Sequence, residues 1–181
     1  KVTRQMWLIK GGSDLRLHHF TARGSNPLPR FDVRREWHPL IEIAGARDVR
    51  IDHVTGRNAW GDFVFVTPDV RRVTSSDGSG AVLPRRVMIE DSRAEVVGRH
   101  AITCNGCDAV TVQDNVFRDI GYQVLDVEVE AERWHARDVI FRRNVIGGRI
   151  ALSVVASADD TGKDVRRLRV TGNRMLQASA T

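Results

Sequence analysis

Arg99-His100-Ala101-Ile102-Thr103-Cys104-Asn105-Gly106-Cys107-Asp108-Ala109-Val110-Thr111-Val112-Gln113-Asp114-Asn115-Val116-Phe117-Arg118-Asp119-Ile120-Gly121 is followed by a second pass of the same design. That pass reads Gln123-Val124-Leu125-Asp126-Val127, a polar interval, then Val139-Ile140-Phe141-Arg142-Arg143-Asn144-Val145-Ile146-Gly147. Each unit has a short alternating strand, a polar turn and a second alternating strand ending near Asn. One more apolar residue and a Gly close it. A sequence repeat is read before its individual elements, because it dictates the architecture. Period-two alternation with Gly and Asp punctuation predicts strands rather than helices. The expected fold is a wound β-solenoid.

Working outward, the pattern begins at Trp7-Leu8-Ile9, turns at Gly11-Gly12-Ser13-Asp14 and resumes at Leu15 and Leu17. Residues 24–38 break it with Pro27 and Pro29, and residues 67–84 break it with a Ser/Gly run around Gly78. Both are expected as loop inserts on a rigid scaffold, where function is often carried. The remaining units align Leu17, Ile51, Ile89, Val112, Phe141 and Val170 in one inward column. Three positions further on stand Phe20, Val54, Ser92, Asn115, Asn144 and Asn173. A buried amide is tolerable only when paired, so the three asparagines predict a structural ladder. About six coils result, forming one domain over residues 1–181. Neither end offers a capping helix, so the chain reads as a piece of a longer solenoid.

The 181 residues are 41% hydrophobic and 28% charged, the balance of a folded domain and not of a disordered tail. No apolar run reaches the length of a membrane span. The net charge is +5, and all but three of the 28 basic residues are arginine. Those arginines are interleaved with aspartates along the whole chain, which argues against a nucleic-acid surface. Cys104 and Cys107 form a lone C-x-x-C, too few ligands for zinc, and are expected as buried thiols.

The units Val-Thr-Val-x-Asp-Asn-Val-Phe and Val-Ile-Phe-Arg-Arg-Asn-Val-Ile-Gly resemble repeats of the right-handed parallel β-helix, pectin-lyase-like superfamily. The run Gly98–Ile102, with Asn115, Leu125–Glu128 and Trp134, is similar to actinobacterial or phage-type β-helix repeat proteins. The resemblance implies an all-β, single-stranded right-handed parallel β-helix with loop inserts. It also implies a polysaccharide or cell-surface glycan as partner and an extracellular, cell-surface or virion-associated setting. Homo-oligomers are compatible with it. It does not fix a reaction, since the residues diagnostic of the calcium-dependent lyases and the triple-aspartate hydrolases are not present. A single Asp159-Asp160 pair falls in a terminal turn.

Register gathers candidate residues on one face. Asp62, His100 and Gln123 share a column, Arg99 and Tyr122 the one before it, and Thr103 and Asp126 the one beyond, with Glu128 at the edge. Neighbouring strands lie about 4.8 Å apart, so His100 and Asp126 should lie near each other. A glycosidase needs two carboxyls about 5–9 Å apart, which Asp126 supplies with Asp62 or Glu128. Asp62 is expected near or beyond the top of that range. A lyase needs a base and a cation for a developing enolate, roles open to His100 and Arg99. Arg99, His100, Asp126 and Asp62 are therefore the candidate catalytic residues. Thr103, Tyr122 and Glu128 are candidates for substrate contact. Trp37, Trp60 and Trp134 could offer faces to sugar rings, or fold back over the sheet. The carboxylates Asp126, Glu128, Glu130 and Glu132 could attract calcium, but no compact cage is evident; neither cofactor nor metal is expected. His18, His19, His38 and His53 show no partner pattern. Three classes stay open: a lyase or hydrolase, a non-catalytic sugar-binding module, and a structural spacer.

Overall fold

The computed structural model describes residues 6–156 and 164–176, and the side chains of all of these but 149–156. The Asp159-Asp160 pair lies outside the described residues. Strands dominate, because β-branched residues at alternate positions suit a pleated, half-buried surface. In chain order they are β1 Trp7–Lys10, β2 Ser13–Arg23, β3 Ile41–Ala44, β4 Arg47–Ala59 and β5 Val64–Thr67. There follow β6 Arg85–Glu90, β7 Arg93–Val97, β8 Ile102–Asn105, β9 Cys107–Gln113 and β10 Val116–Glu128. The last are β11 His135–Arg137, β12 Ile140–Arg142, β13 Val145–Ala156, β14 Asp164–Arg166, β15 Arg169–Thr171 and β16 Arg174–Met175.

All pairings between these strands are parallel, and they form three ladders. The first runs Trp7, Ile41, Val64, Ile102, Leu125 and Val154, from β1 to the end of β13. The second runs Leu17, Ile51, Ile89, Val112, Phe141 and Val170. The third runs Ala22, Gly56, Ala94, Phe117, Ile146 and Met175. Buried side chains of all three ladders pack into one hydrophobic cluster, among them Ile41, Ile51, Ile89, Ile102, Phe117, Leu125 and Phe141. Trp7 is 47% exposed, β1 pairing only with β3 among the described residues.

The expectation of a single-stranded right-handed parallel β-helix, a solenoid of about six coils, is corrected. The sixteen strands join into one sheet whose order is an open path from β1 to β14, neither closed nor strongly curled as a solenoid would be. The reason lies in strand length. β2, β4, β10 and β13 run for 11 to 13 residues, β2, β4 and β10 continuing through left-handed residues such as His19, His53 and Asp119. Each long strand belongs to two ladders and fuses them. The pectin-lyase-like, parallel β-helix assignment falls with that closure. What holds is an all-β, largely parallel sheet built from a repeat.

The repeat has a backbone signature as well. Where β2 and β4 pass from one ladder to the next, single residues adopt left-handed backbone and interrupt the pairing as bulges do. One such column is His19, His53, Asp91, Asp114, Arg143 and Gly172, with φ between +47° and +62°. Beside it stands the asparagine ladder. Asn144 Oδ1 accepts from the Asn115 backbone N–H and from Asn115 Nδ2, at 3.0 and 3.1 Å. Asn173 Oδ1 does the same for Asn144, at 2.9 and 3.0 Å. Each Nδ2 also donates to a backbone carbonyl, of Ile89, Val112 or Phe141. Ser92 continues the ladder one unit earlier, its N–H donating to Asn115 Oδ1.

The two inserts are ordered. Residues 24–38 carry a 3₁₀ turn at Val33–Arg35, capped by Asp32, and residues 67–84 carry one at Val70–Arg72, capped by Asp69. The first insert lies against the sheet at Gly98 and Gly121. A Cβ on either would crowd the Arg30 or Pro29 carbonyl, so glycine there admits the insert's backbone.

Candidate functional site

The N-terminal ends of β5, β8 and the later half of β10 bring six of the candidate residues together. The short run Asp62-Phe63 precedes β5, and the Phe63 amide is held by the His100 carbonyl at 3.0 Å. That pairing sets Asp62 beside His100. Phe65, Thr103 and Asp126 follow in register, so Thr103 and Asp126 stand on adjacent strands. Asp62, His100, Thr103 and Asp126 are all 5% exposed or less, an unusual amount of ionisable chemistry to bury.

Asp62 is the hub. Its Oδ1 accepts from the His100 backbone N–H at 3.0 Å, and its Oδ2 from the Thr103 hydroxyl at 3.0 Å and from Arg99 Nη1 at 3.3 Å. Because the Thr103 proton is committed to Asp62, Thr103 Oγ1 accepts from His100 Nδ1, 2.8 Å away. This relay fixes the imidazole as the Nδ1-protonated tautomer and leaves Nε2 with its lone pair. Nε2 is buried and has no hydrogen-bond partner. Asp126 Oδ2 lies 3.4 Å from the same Nδ1, and Asp62 Oδ1 lies 3.7 Å from it. Asp62 and Asp126 thus flank one nitrogen, closer together than the sequence spacing led us to expect. Arg99 Nη2 reaches Glu128 Oε1 at 3.7 Å.

Burial dominates the proton affinities. It pushes Asp62 up to about 6, against the pull of Arg99 and two hydrogen bonds. It pushes Asp126 to about 6 and, helped by the Asp126 charge, Glu128 to about 7. It pushes His100 down to about 3, with Arg99 adding to the effect. Three carboxyls facing one guanidinium cannot all ionise cheaply, so near neutrality they share protons.

Unsatisfied polar atoms collect here too. Of the six buried side-chain polar atoms without a hydrogen bond among the described residues, four belong to His100, Asn105, Gln123 and Glu128. Gln123 precedes Leu125 on the strand that pairs with β8, and Asn105 pairs directly with Glu128. Asn105 carried no motif; its link to the site is visible only once register places it beside Glu128.

Aromatic rings cover one side. Tyr122 stacks on His100 with centroids 5.5 Å apart, and Phe31 of the first insert stacks on Tyr122 at 5.4 Å. Trp37, 46% exposed, meets Phe65 edge-on, and Arg99 lies 5.5 Å from its ring centre. Trp37 and Tyr122 therefore border the cluster. Trp60 does not: its Nε1 donates to Ser25 and Arg35 lies over its ring. Trp134 is buried in the core with Nε1 donating to the Gly78 carbonyl, anchoring the second insert. Glu130 and Glu132 join no compact cluster of metal-ligating groups among the described residues. The cysteines, expected as buried thiols, form a disulfide instead; the turn at Gly106 brings their Cα atoms to 6.0 Å. Cavities of about 310 Å³ (around Arg47, Asp69 and Arg71) and about 590 Å³ (around Arg85, His135 and Arg137) lie elsewhere. No family model matches the chain, and neither a curated protein nor a solved structure matches it.

Proposed function

We propose that the Asp62–His100–Asp126 cluster, with Glu128, is an acid–base site that cleaves a glycosidic bond of a polysaccharide. One observation carries this reading: three carboxyls lie side by side with proton affinities lifted into the neutral range. Enzymes tune carboxyls in this way when one must give a proton and another take one at the same pH. Glu128, raised furthest and the most exposed of the three, is the general acid. It protonates the glycosidic oxygen as the C1–O bond breaks. Asp126, ionised at a lower pH, accepts a proton from the water that attacks C1. Two residues apart on one strand face, the pair is separated by roughly 6–7 Å along the strand, which suits an inverting geometry.

The remaining residues are positioning groups. Thr103 and Asp62 hold His100, whose Nδ1 lies 3.4 Å from Asp126 Oδ2. Arg99 keeps Glu128 from repelling Asp62. Trp37 supplies an exposed face for a sugar ring. An oxidising compartment outside the cell, favoured by the disulfide, is where such a substrate would be met.

The test is product analysis on a panel of neutral and acidic polysaccharides. New reducing ends without unsaturation are expected, with turnover lost in Asp126→Asn and Glu128→Gln. Unsaturated uronate ends would replace hydrolysis by elimination. Unchanged turnover in both folded variants would overturn the site.

A specific observation favours a second reading, non-catalytic glycan binding. His100 and Asp126 are buried, with Tyr122 stacked on His100, while Trp37 is half-exposed. Glycan binding that is lost in Trp37→Ala, with no cleavage by the unmodified protein, would select it.

A further inference from the structure

We propose that His19, His53 and Asp52 form a binding site for a borderline divalent metal ion of the Zn²⁺ class, with His18 as a fourth ligand. The site lies on β2 and β4, on a different ladder from the acid–base cluster, and does not depend on it.

The residues are assembled by register. His18 pairs with Asp52 and Phe20 with Val54, so His19 and His53 occupy the matching bulge positions between them. Both have left-handed backbone, at φ 57° and 53°. Other residues of that column share this conformation, so the repeat itself presents the two imidazoles side by side. Their rings stack with centroids 4.6 Å apart and planes 4° from parallel. One ligand atom from each of His19, Asp52 and His53 lies within 4.8 Å of the others. His18 Nδ1 is 2.9 Å from His19 Nδ1, and His53 Nδ1 donates to Asp52 Oδ1 at 2.9 Å.

Tetrahedral zinc binds imidazole nitrogen at about 2.0–2.1 Å, which sets ligand atoms roughly 3.4 Å apart. The observed separations bracket that value, and the two solvent-exposed imidazoles must turn out of their parallel stack for their in-plane lone pairs to meet at one ion. Three nitrogens and one oxygen select zinc-like ions over calcium or magnesium, which take oxygen. Asp52 is the fixed member, fully buried, its carboxylate forked by Arg16 at 2.8 and 3.0 Å with Arg50 at 3.4 Å. Arg16 above all, with His53 and Arg50, holds the carboxyl well below the usual range, and the two guanidiniums fix its orientation toward the imidazoles. They also bring positive charge, which Glu90, on Arg50 at 2.5 Å, partly offsets. With the ion on Nδ1, each neutral imidazole carries its proton on Nε2, so the contacts of His53 with Asp52 and of His18 with His19 give way to metal coordination.

Titration of the whole protein with Zn²⁺ by calorimetry, in the absence of any glycan, tests this. One equivalent should bind saturably, Ca²⁺ and Mg²⁺ should not compete, and Co²⁺ should give the absorption of a four-coordinate site. His19→Asn and His53→Asn should each weaken binding by about tenfold or more. Asparagine tolerates left-handed backbone, so both variants should fold, with circular dichroism as the check. No saturable binding, or equal affinity in the double variant, would overturn the proposal without touching the acid–base reading.

Discussion

Two buried polar constructions sit in one sheet and are built to opposite rules. The Asn115–Asn144–Asn173 ladder is neutral and closed on itself: Asn115 and Asn144 are fully buried, and both ends of each amide are paired. The Asp62–His100–Asp126–Glu128 cluster is charged and incomplete, with a bare imidazole nitrogen and three carboxyls short of cations. Polar burial that is fully satisfied specifies a structure, whereas polar burial left unsatisfied costs stability and wants another reason to persist. The ladder holds the repeat in register; the cluster is where the repeat gives up stability.

The sharpest way to break that contrast is to damage the ladder. Asn144→Ala strands the Asn115 backbone N–H and removes one partner each from Asn115 Nδ2, Asn173 Oδ1 and the Val112 carbonyl. Each stranded group costs about 1–3 kcal/mol, so urea unfolding should show a loss of about 3 kcal/mol or more. A loss below about 1 kcal/mol would mean that the ladder is incidental to the fold. His100→Ala removes a residue whose Nε2 has no partner, and should cost clearly less than Asn144→Ala.

The disulfide belongs to the same comparison. Cys104 lies on the strand that carries Thr103 and Asn105, and the bridge closes at Cys107 on the far side of the turn. It ties down the unit that carries the unsatisfied cluster, while the ladder supports itself. Chain-entropy arithmetic for so short a loop gives about 2 kcal/mol. Cys104→Ala with Cys107→Ala, or reduction, should lower unfolding stability by about that amount. Both sulfurs are buried, so amide exchange around Thr103 should rise more than around Asn144. Uniform exchange changes would remove the distinction between the two regions.

Much of this was legible in the residues. The second ladder, Leu17 to Val170, and the asparagine step beside it follow from period-two alternation, since a one-residue slip would turn every inward side chain outward. The same register gathers Asp62, His100 and Asp126. Closure was not legible: whether β4 stops after Ile51 or runs on to Ala59 depends on bulge residues such as His53 and Asn58 accepting left-handed backbone. No composition rule marks a histidine for that. The fates of the tryptophans were equally hidden, because Trp60 and Trp134 are claimed by Ser25 and Gly78 from inserts distant in sequence. The His19–His53 pair was within reach, two positions beyond Leu17 and Ile51, but single histidines carry no motif until two strands are aligned.

The smallest predicted effect is the most diagnostic, because its sign is opposite to that of most mutations. A carboxyl whose folded value is raised binds its proton more tightly in the native state. Stability then falls as pH rises from the unfolded value to the folded one. For Asp126 that window is 3.8 to about 6, for Asp62 the same, and for Glu128 4.5 to about 7. His100 works against them, its value lowered from 6.5 to about 3, so it adds stability as pH rises across that interval. Three groups outweigh one, so the cluster's own contribution to stability should decline between about pH 4.5 and 6. Asp126→Asn removes one of the three titrations. The variant should match the parent only well below the unfolded value of 3.8, where the carboxyl is protonated in both states. It should be more stable by about 1 kcal/mol at pH 8, where the parent buries a charge. Paired with loss of turnover, that gain is what a residue retained for chemistry predicts. A variant less stable than the parent at pH 8 would make Asp126 a structural partner of His100, and would move the cluster to the ladder's side of the comparison.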